Sequence, residues 1–237
     1  MANNFRVDTY RSAKPLSVAL IALFAAQVGC YALYILLSIV QIAIPDMTVE
    51  DGEGLTLPFV FIGLISIVES LLRLATIVIF LIWLYRVYSN LSPLRARDLE
   101  FTPGWAVGWW FIPLANLIKP YQAVTEAWRE SDPDFDPDLG YLTSSVENSW
   151  HFPIWWGSLI IGNLFSRIAD AAVQGENVSE SYPYLLIIAV TFTGIAAALA
   201  LWIVKDTTRR QDARAKRIGD SQDAFQPPPP PVFSPAV

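Results

Sequence analysis

The stretch FTPGWAVGWWFIPLANLIKPYQAVTEAWRES, Phe101–Ser131, decides how the rest of the chain is read. It carries four tryptophans, Trp105, Trp109, Trp110 and Trp128, and three prolines, Pro103, Pro113 and Pro120. Its apolar core, Trp105 to Ile118, is 14 residues long. A helix needs about 20 apolar residues to cross a bilayer, and runs of about 10–14 read as re-entrant or interfacial segments. Pro113 removes a backbone donor and can break a helix there, and Pro120 is expected to end a second short piece. The stretch is therefore expected to enter the membrane and return, or to lie along its face.

Four longer apolar runs flank it. Leu16 to Ile44 holds 29 residues without a charge, enough to span with tilt. It exceeds the apolar region of a signal peptide, about 7–15 residues, and reads as a retained helix. Pro58 to Tyr85 is a second span, interrupted by Glu69 and Arg73. Phe152 to Val173 is a third, with Arg167 and Asp170, and Pro183 to Val204 is a fourth of 22 residues. The expected fold is all-α: an integral membrane protein with four transmembrane helices plus the re-entrant or interfacial element. Residues 1–15 form a polar N-terminus, 16–204 the membrane domain with its central element 101–131, and 205–237 a tail. That tail is basic, then proline-rich and disordered, because QPPPPPVFSPAV cannot build a core.

Composition agrees. The chain is 54% hydrophobic and 16% charged, against about 25% charged in soluble domains. A net charge of -6, with the acids spread through loops, argues against a nucleic-acid partner. The single cysteine, Cys30, excludes an intramolecular disulfide and any multi-cysteine metal site. Short basic loops stay cytoplasmic. The N-terminus, the Arg86–Arg97 loop and the tail hold 3, 3 and 6 Lys/Arg, whereas loops 45–57 and 174–182 hold none. Both termini are thus expected inside. Parity then leaves Phe101–Ser131 starting and ending on the cytoplasmic side. A five-span arrangement would place one terminus outside, against its basic flank.

The run WLYRVYSNL, Trp83–Leu91, followed by the PGWAVGWWFIP–N–KPYQ–W pattern, strongly resembles the bacterial membrane proteins grouped as domain of unknown function 4328. The resemblance is specific over about 50 residues and extends to the other spans only in hydropathy. It implies a bacterial plasma-membrane protein and no particular activity. Its matching positions are Pro103, Gly104, Trp105, Gly108, Trp109, Pro113, Asn116, Pro120 and Tyr121.

Two constellations are candidates for chemistry. In the central stretch, Trp105, Trp109 and Trp110 suit the headgroup level, where an indole keeps one wet edge. Asn116 and Gln122 can satisfy backbone groups freed by the prolines, Lys119 can face lipid phosphate, and Tyr121 completes a lipid or ligand site. Gly104 and Gly108, like Ala25 and Gly29, are spaced four apart for close helix approach. The second constellation is Glu69 with Arg73 and Arg167 with Asp170, pairs spaced to share a helix face. Buried charges of this kind usually face a bundle interior or a cavity, so the four are expected to form one cluster.

The acids Asp132, Asp134, Asp136 and Asp138 invite a calcium reading, but Pro137 stands where the turn would need glycine, and a solvated linker is the expectation. His151, the single histidine, is expected at the interface. No metal, cofactor or catalytic set is expected. The expected function is non-enzymatic: a scaffold or a lipid- or small-ligand-binding protein at the cytoplasmic face, with membrane lipids, and a protein docking on the Pro-rich tail, as partners. The alternative is a small transporter or channel component using the charged cluster.

Overall fold

The computed structural model describes residues 10–44, 57–96, 98–134, 149–174 and 177–224. Among these residues six α-helices form in chain order: α1 (Lys14–Ala43), α2 (Leu57–Leu91), α3 (Pro103–Gly108), α4 (Lys119–Arg129), α5 (His151–Ala171) and α6 (Tyr182–Ala224). A two-residue antiparallel pair, β1 (Val173–Gln174) and β2 (Asn177–Val178), joins α5 to α6. Helices α1, α2 and α6 are each long and apolar enough to cross a membrane. At 1.5 Å per residue, the 35 residues of α2 and 43 of α6 make rods of roughly 52 and 64 Å, well beyond a hydrocarbon layer of about 30 Å. Helix α5, with 21 residues, is long enough, at roughly 31 Å. Its composition is diluted by Gly157, Ser158, Gly162, Asn163, Ser166, Arg167 and Asp170, and it falls outside that apolar class.

The long helices stand in the order α2, α1, α6, α5, each packed on the next. A close approach is made at Gly162 of α5, where an added Cβ would meet Thr193 Oγ1 at 2.5 Å and its backbone nitrogen at 3.0 Å. The glycines singled out by spacing play no such part. Nothing lies within 4 Å of a Cβ built on Gly29 or Gly104, and Gly108 meets only the ring of Trp105, one turn back. Spacing alone marks where a helix can be approached; the packing order decides where it is.

The central stretch is not one rod. Thr102 caps α3, its hydroxyl accepting from the Trp105 N–H at 3.3 Å. Two 3₁₀ turns, Trp109–Phe111 and Ala115–Leu117, flank Pro113, and the chain doubles back into α4. Pro120 opens α4 rather than ending a piece, because its missing N–H falls among donors that a first turn leaves unbonded anyway. The two ends of the hairpin are fastened together. The Glu100 N–H donates to Glu126 Oε1 at 2.7 Å, and Lys119 Nζ reaches Glu100 Oε1 at 2.9 Å. The stretch thus leaves and returns at the same end of the bundle.

The tightest packing lies at that end. Trp83, Leu84, Val87, Tyr88 and Leu91 of α2 are buried against α4 and the last third of α6. The basic segment from Lys205 is therefore helix, not disordered tail, through Ala224. Its helicity comes from tertiary contacts: Gln211 Nε2 donates to the Val87 carbonyl at 2.9 Å and to Ser131 Oγ at 3.1 Å, and Arg214 Nη1 donates to the Glu130 carbonyl at 2.6 Å. Asn90 bonds both Gln211 Oε1, at 3.0 Å, and the Arg11 carbonyl, at 2.9 Å, so the N-terminal segment joins the same network. The proline-rich residues 226–237 lie outside the described residues, as do residues 1–9.

Candidate functional site

Because α2 packs on α1 and α5 packs on α6, a cleft is left between α2 and α5 with α1 and α6 behind it. Its volume is about 360 Å³. Phe24, Gln27 and Tyr31 line it from α1, and Arg73, Thr76, Ile77, Phe80 and Leu81 from α2. Trp155, Leu159 and Asn163 face it from α5, with Thr193, Ala196, Ala197 and Ala200 from α6. The small residues of α6 leave the space; the aromatic ones shape it.

The Trp-rich hairpin closes one end. Trp110, Phe111 and Asn116 form that wall. Trp110 stands between Phe80 of α2 and Trp156 of α5, with ring centroids at 5.4 and 6.0 Å and interplanar angles of 74° and 83°. Edge-to-face pairs of this kind add about 0.5–1.5 kcal/mol each beyond area burial. Trp156 Nε1 also donates to the Leu117 carbonyl at 2.8 Å, an acceptor to which Pro120, three residues on, can offer no N–H. Beyond the wall, the hairpin tip is strongly apolar and bare: Leu114 is 84% and Phe111 71% exposed, with Ile112, Leu117 and Ile118 also exposed. Soluble monomers seldom expose contiguous apolar patches of this kind.

The sequence-selected residues of the hairpin take different stations. Trp105 is half exposed and tilted against Trp109, centroids 4.7 Å apart. Among the described residues, the buried indole nitrogens of Trp109 and Trp110 and Gln122 Oε1 have no hydrogen-bond partner. Asn116 faces the cleft. Tyr121 packs on Trp156, centroids 6.4 Å apart. Lys119 is engaged with Glu100 and sits 5.1 Å from the Phe101 ring centroid, so its charge is already matched within the protein.

The four charges expected within the membrane do not gather as one group. Arg73 Nε donates to Glu69 Oε1 at 3.0 Å, and the Tyr31 hydroxyl donates to the same oxygen at 3.0 Å. Glu69 is buried, and Arg73 borders the cleft. Arg167 and Asp170 are exposed on α5, and among the described residues neither forms an ion pair. The helix order separates the pairs: α2 and α5 flank the cleft at opposite ends of the row. Of the acidic run, Asp132 pairs with Arg210 at 3.7 Å and Asp134 with Arg217. Asp136, Pro137 and Asp138 lie outside the described residues. His151 is stacked between Trp150 and Trp202, both centroids at 3.9 Å. Residues that spacing could not find are Gln27, Phe80, Trp155, Trp156 and Thr193; only the helix order brings them to one place.

Beneath the hairpin, α4 is fixed by buried polar contacts. Trp128 Nε1 donates to Asp206 Oδ2 at 2.7 Å, and the Arg210 guanidinium lies 3.9 Å from the Trp128 ring centroid. Tyr88 donates to Glu126 Oε2. Burial pushes the Glu130 carboxyl above the usual carboxylate range, against the opposing pull of Arg129.

Fold and site together define an all-helical protein with membrane-length apolar helices and an aromatic hairpin folded against them. The profile described as Domain of unknown function (DUF4328) matches residues 53–209, and the chain belongs to that family. The match reaches well past the Trp-rich stretch, covering α2 to α5 and most of the apolar part of α6 and leaving α1 outside. No curated protein and no solved structure shows significant similarity to the chain.

Proposed function

We propose that this protein is a multi-pass plasma-membrane protein of non-enzymatic function, whose cleft binds a lipid or small lipid-soluble ligand toward the cytoplasmic face. In this reading α1, α2, α5 and α6 all span, both termini are cytoplasmic, and the hairpin dips into the inner leaflet. The bare tip Phe111–Ile118 supports that placement, because those side chains find hydrocarbon there instead of water. The sub-bundle of α4 with the ends of α2 and α6 is then a cytoplasmic platform on which a partner can assemble.

The cleft is the observation that carries the reading. About 360 Å³ lies within the range of ligand sites, about 300–1,000 Å³, and its walls are apolar with a few polar groups. The transporter or channel alternative has weaker support, since of Glu69, Arg73, Arg167 and Asp170 only Arg73 lines the cleft. The test is native mass spectrometry of the full chain released from its membranes. Hydrophobic molecules of defined mass should co-purify, and Ala197→Trp, which fills the cleft from α6, should lose them. Identical adducts on Ala197→Trp and on Asn163→Trp, which fills it from α5, would overturn the reading.

A further inference from the structure

Two polar side chains, Gln27 and Asn116, face the cleft with hydrogen-bonding capacity left unused among the described residues. Gln27 is 4% exposed and lines the cavity, yet among the described residues its amide makes no hydrogen bond. Arg73 borders the cavity too, but its guanidinium is engaged with Glu69 and with the Tyr31 hydroxyl. The Asn116 side chain, on the hairpin wall, is, like that of Gln27, without a protein partner among the described residues. Thr76 and Thr193 differ: each hydroxyl donates to a carbonyl of its own helix, at 2.8 Å in both cases. Asn163 donates to Leu159 at 2.7 Å. Donors left facing hydrocarbon are costly, so this set calls for a ligand rich in acceptor oxygen.

Charge narrows the class. Glu69 and Arg73 already neutralise one another, with Tyr31 on the carboxylate. An anionic head group beside them would leave an unmatched negative charge at membrane depth, whereas an uncharged acceptor would not. Shape narrows it again. Phe24, Tyr31, Phe80, Trp110 and Trp155 surround the space with ring faces and edges, the surroundings that suit a flat ring. The volume stands near the low end for ligand sites, too small for a bulky head with several chains.

Resting on the reading of the cleft as a ligand site, we propose that its occupant is an uncharged, lipid-soluble ring compound of the quinone class. Its two carbonyl oxygens accept from Gln27 and Asn116, and its tail leaves between α2 and α5 into the bilayer. Gln27, Phe24 and Tyr31 come from α1, which lies outside the family match.

The test titrates the full chain, in lipid nanodiscs, with decylubiquinone and separately with oleate, reading bound mass by native mass spectrometry. Decylubiquinone should bind one per chain, and oleate at least tenfold more weakly. Gln27→Leu keeps the shape and removes the amide, and should weaken decylubiquinone binding about tenfold. Asn163→Trp should abolish it by blocking the cleft from an exposed helix position. Equal or tighter oleate binding, or an unchanged Gln27→Leu with binding still lost in Asn163→Trp, would overturn the quinone assignment and leave the cleft reading intact. Absence of any bound molecule, or binding that Asn163→Trp does not alter, would overturn both.

Discussion

Trp110 and Trp156 meet edge to face, their ring centroids 6.0 Å apart and their planes at 83°. With Phe80 on the other side of Trp110, this contact makes the hairpin the bridge between α2 and α5, two helices that do not pack on one another. Trp110→Ala should therefore cost about 3 kcal/mol, the low end for removing a large aromatic side chain, since Trp110 is only partly buried. Thermal unfolding in detergent checks the stability. The same substitution should open the cleft, read as faster solvent exchange of amides on the hairpin than on α1. Unchanged exchange would mean that the hairpin is held by its fastened ends alone.

Gly162 and Thr193 carry a second expectation. A methyl group at Gly162 would meet Thr193 Oγ1 at 2.5 Å and its backbone nitrogen at 3.0 Å. The hydroxyl can yield and the backbone cannot, so Gly162→Ala should push α5 from α6 and cost about 1–3 kcal/mol. Adding Thr193→Ala should recover part of that loss. Full recovery would show that the side chain alone sets the approach.

Asp206 is held by Trp128, Arg209 and Arg210, with the indole donating at 2.7 Å. Trp128→Phe keeps most of the packing and removes one hydrogen bond to a buried carboxylate. Such bonds contribute about 1.5–3 kcal/mol. A double-mutant cycle with Asp206→Asn should return a coupling energy of that order, measured by denaturant or thermal unfolding. A coupling near zero would mean that the arginines alone fix the carboxylate.

Glu130 sets a pH dependence of definite sign. Burial raises its carboxyl in the folded protein above the unfolded value, so the folded state binds the proton more tightly. The resulting stabilisation is fully present below the unfolded pKa, about 4.3, and is lost as pH rises through the folded one. Glu130→Gln should remove that part of the dependence, leaving unfolding less sensitive to pH between the unfolded and folded values. An identical pH profile in both proteins would assign the dependence to other groups.

The apolar runs of α1, α2 and α6 are legible along the chain because hydropathy is local. So is the break at Pro113, where a missing donor forbids a continuous rod. The extension of α6 past Lys205 is not, because residues such as Arg214 and Gln211 read as tail until Glu130, Ser131 and Val87 offer them partners from other elements. The pairing of Glu69 with Arg73 follows from a spacing of four, since it lies within one helix. Its relation to Arg167 and Asp170 depends on helix order, which no periodicity encodes. The cleft is hidden for the same reason: Gln27, Arg73 and Asn116 are scattered in the chain and meet only when α1 stands between α2 and α6.

The proposed seating of the hairpin tip in the bilayer yields the last expectation. Cys30 is the single thiol and is only partly buried, so a Cys30→Ser background is required. On that background Asp134→Cys should react with a membrane-impermeant maleimide only from the cytoplasmic side, in inverted vesicles, and Ser181→Cys only from the opposite side, in intact cells. Leu114→Cys is the discriminating position. Its side chain is 84% exposed on the protein, so a hairpin lying in water would label it as readily as Asp134→Cys. A hairpin tip seated in hydrocarbon should resist the impermeant reagent on both sides and accept a lipid-soluble one, because a thiol surrounded by acyl chains meets neither the charged probe nor the water that ionises it.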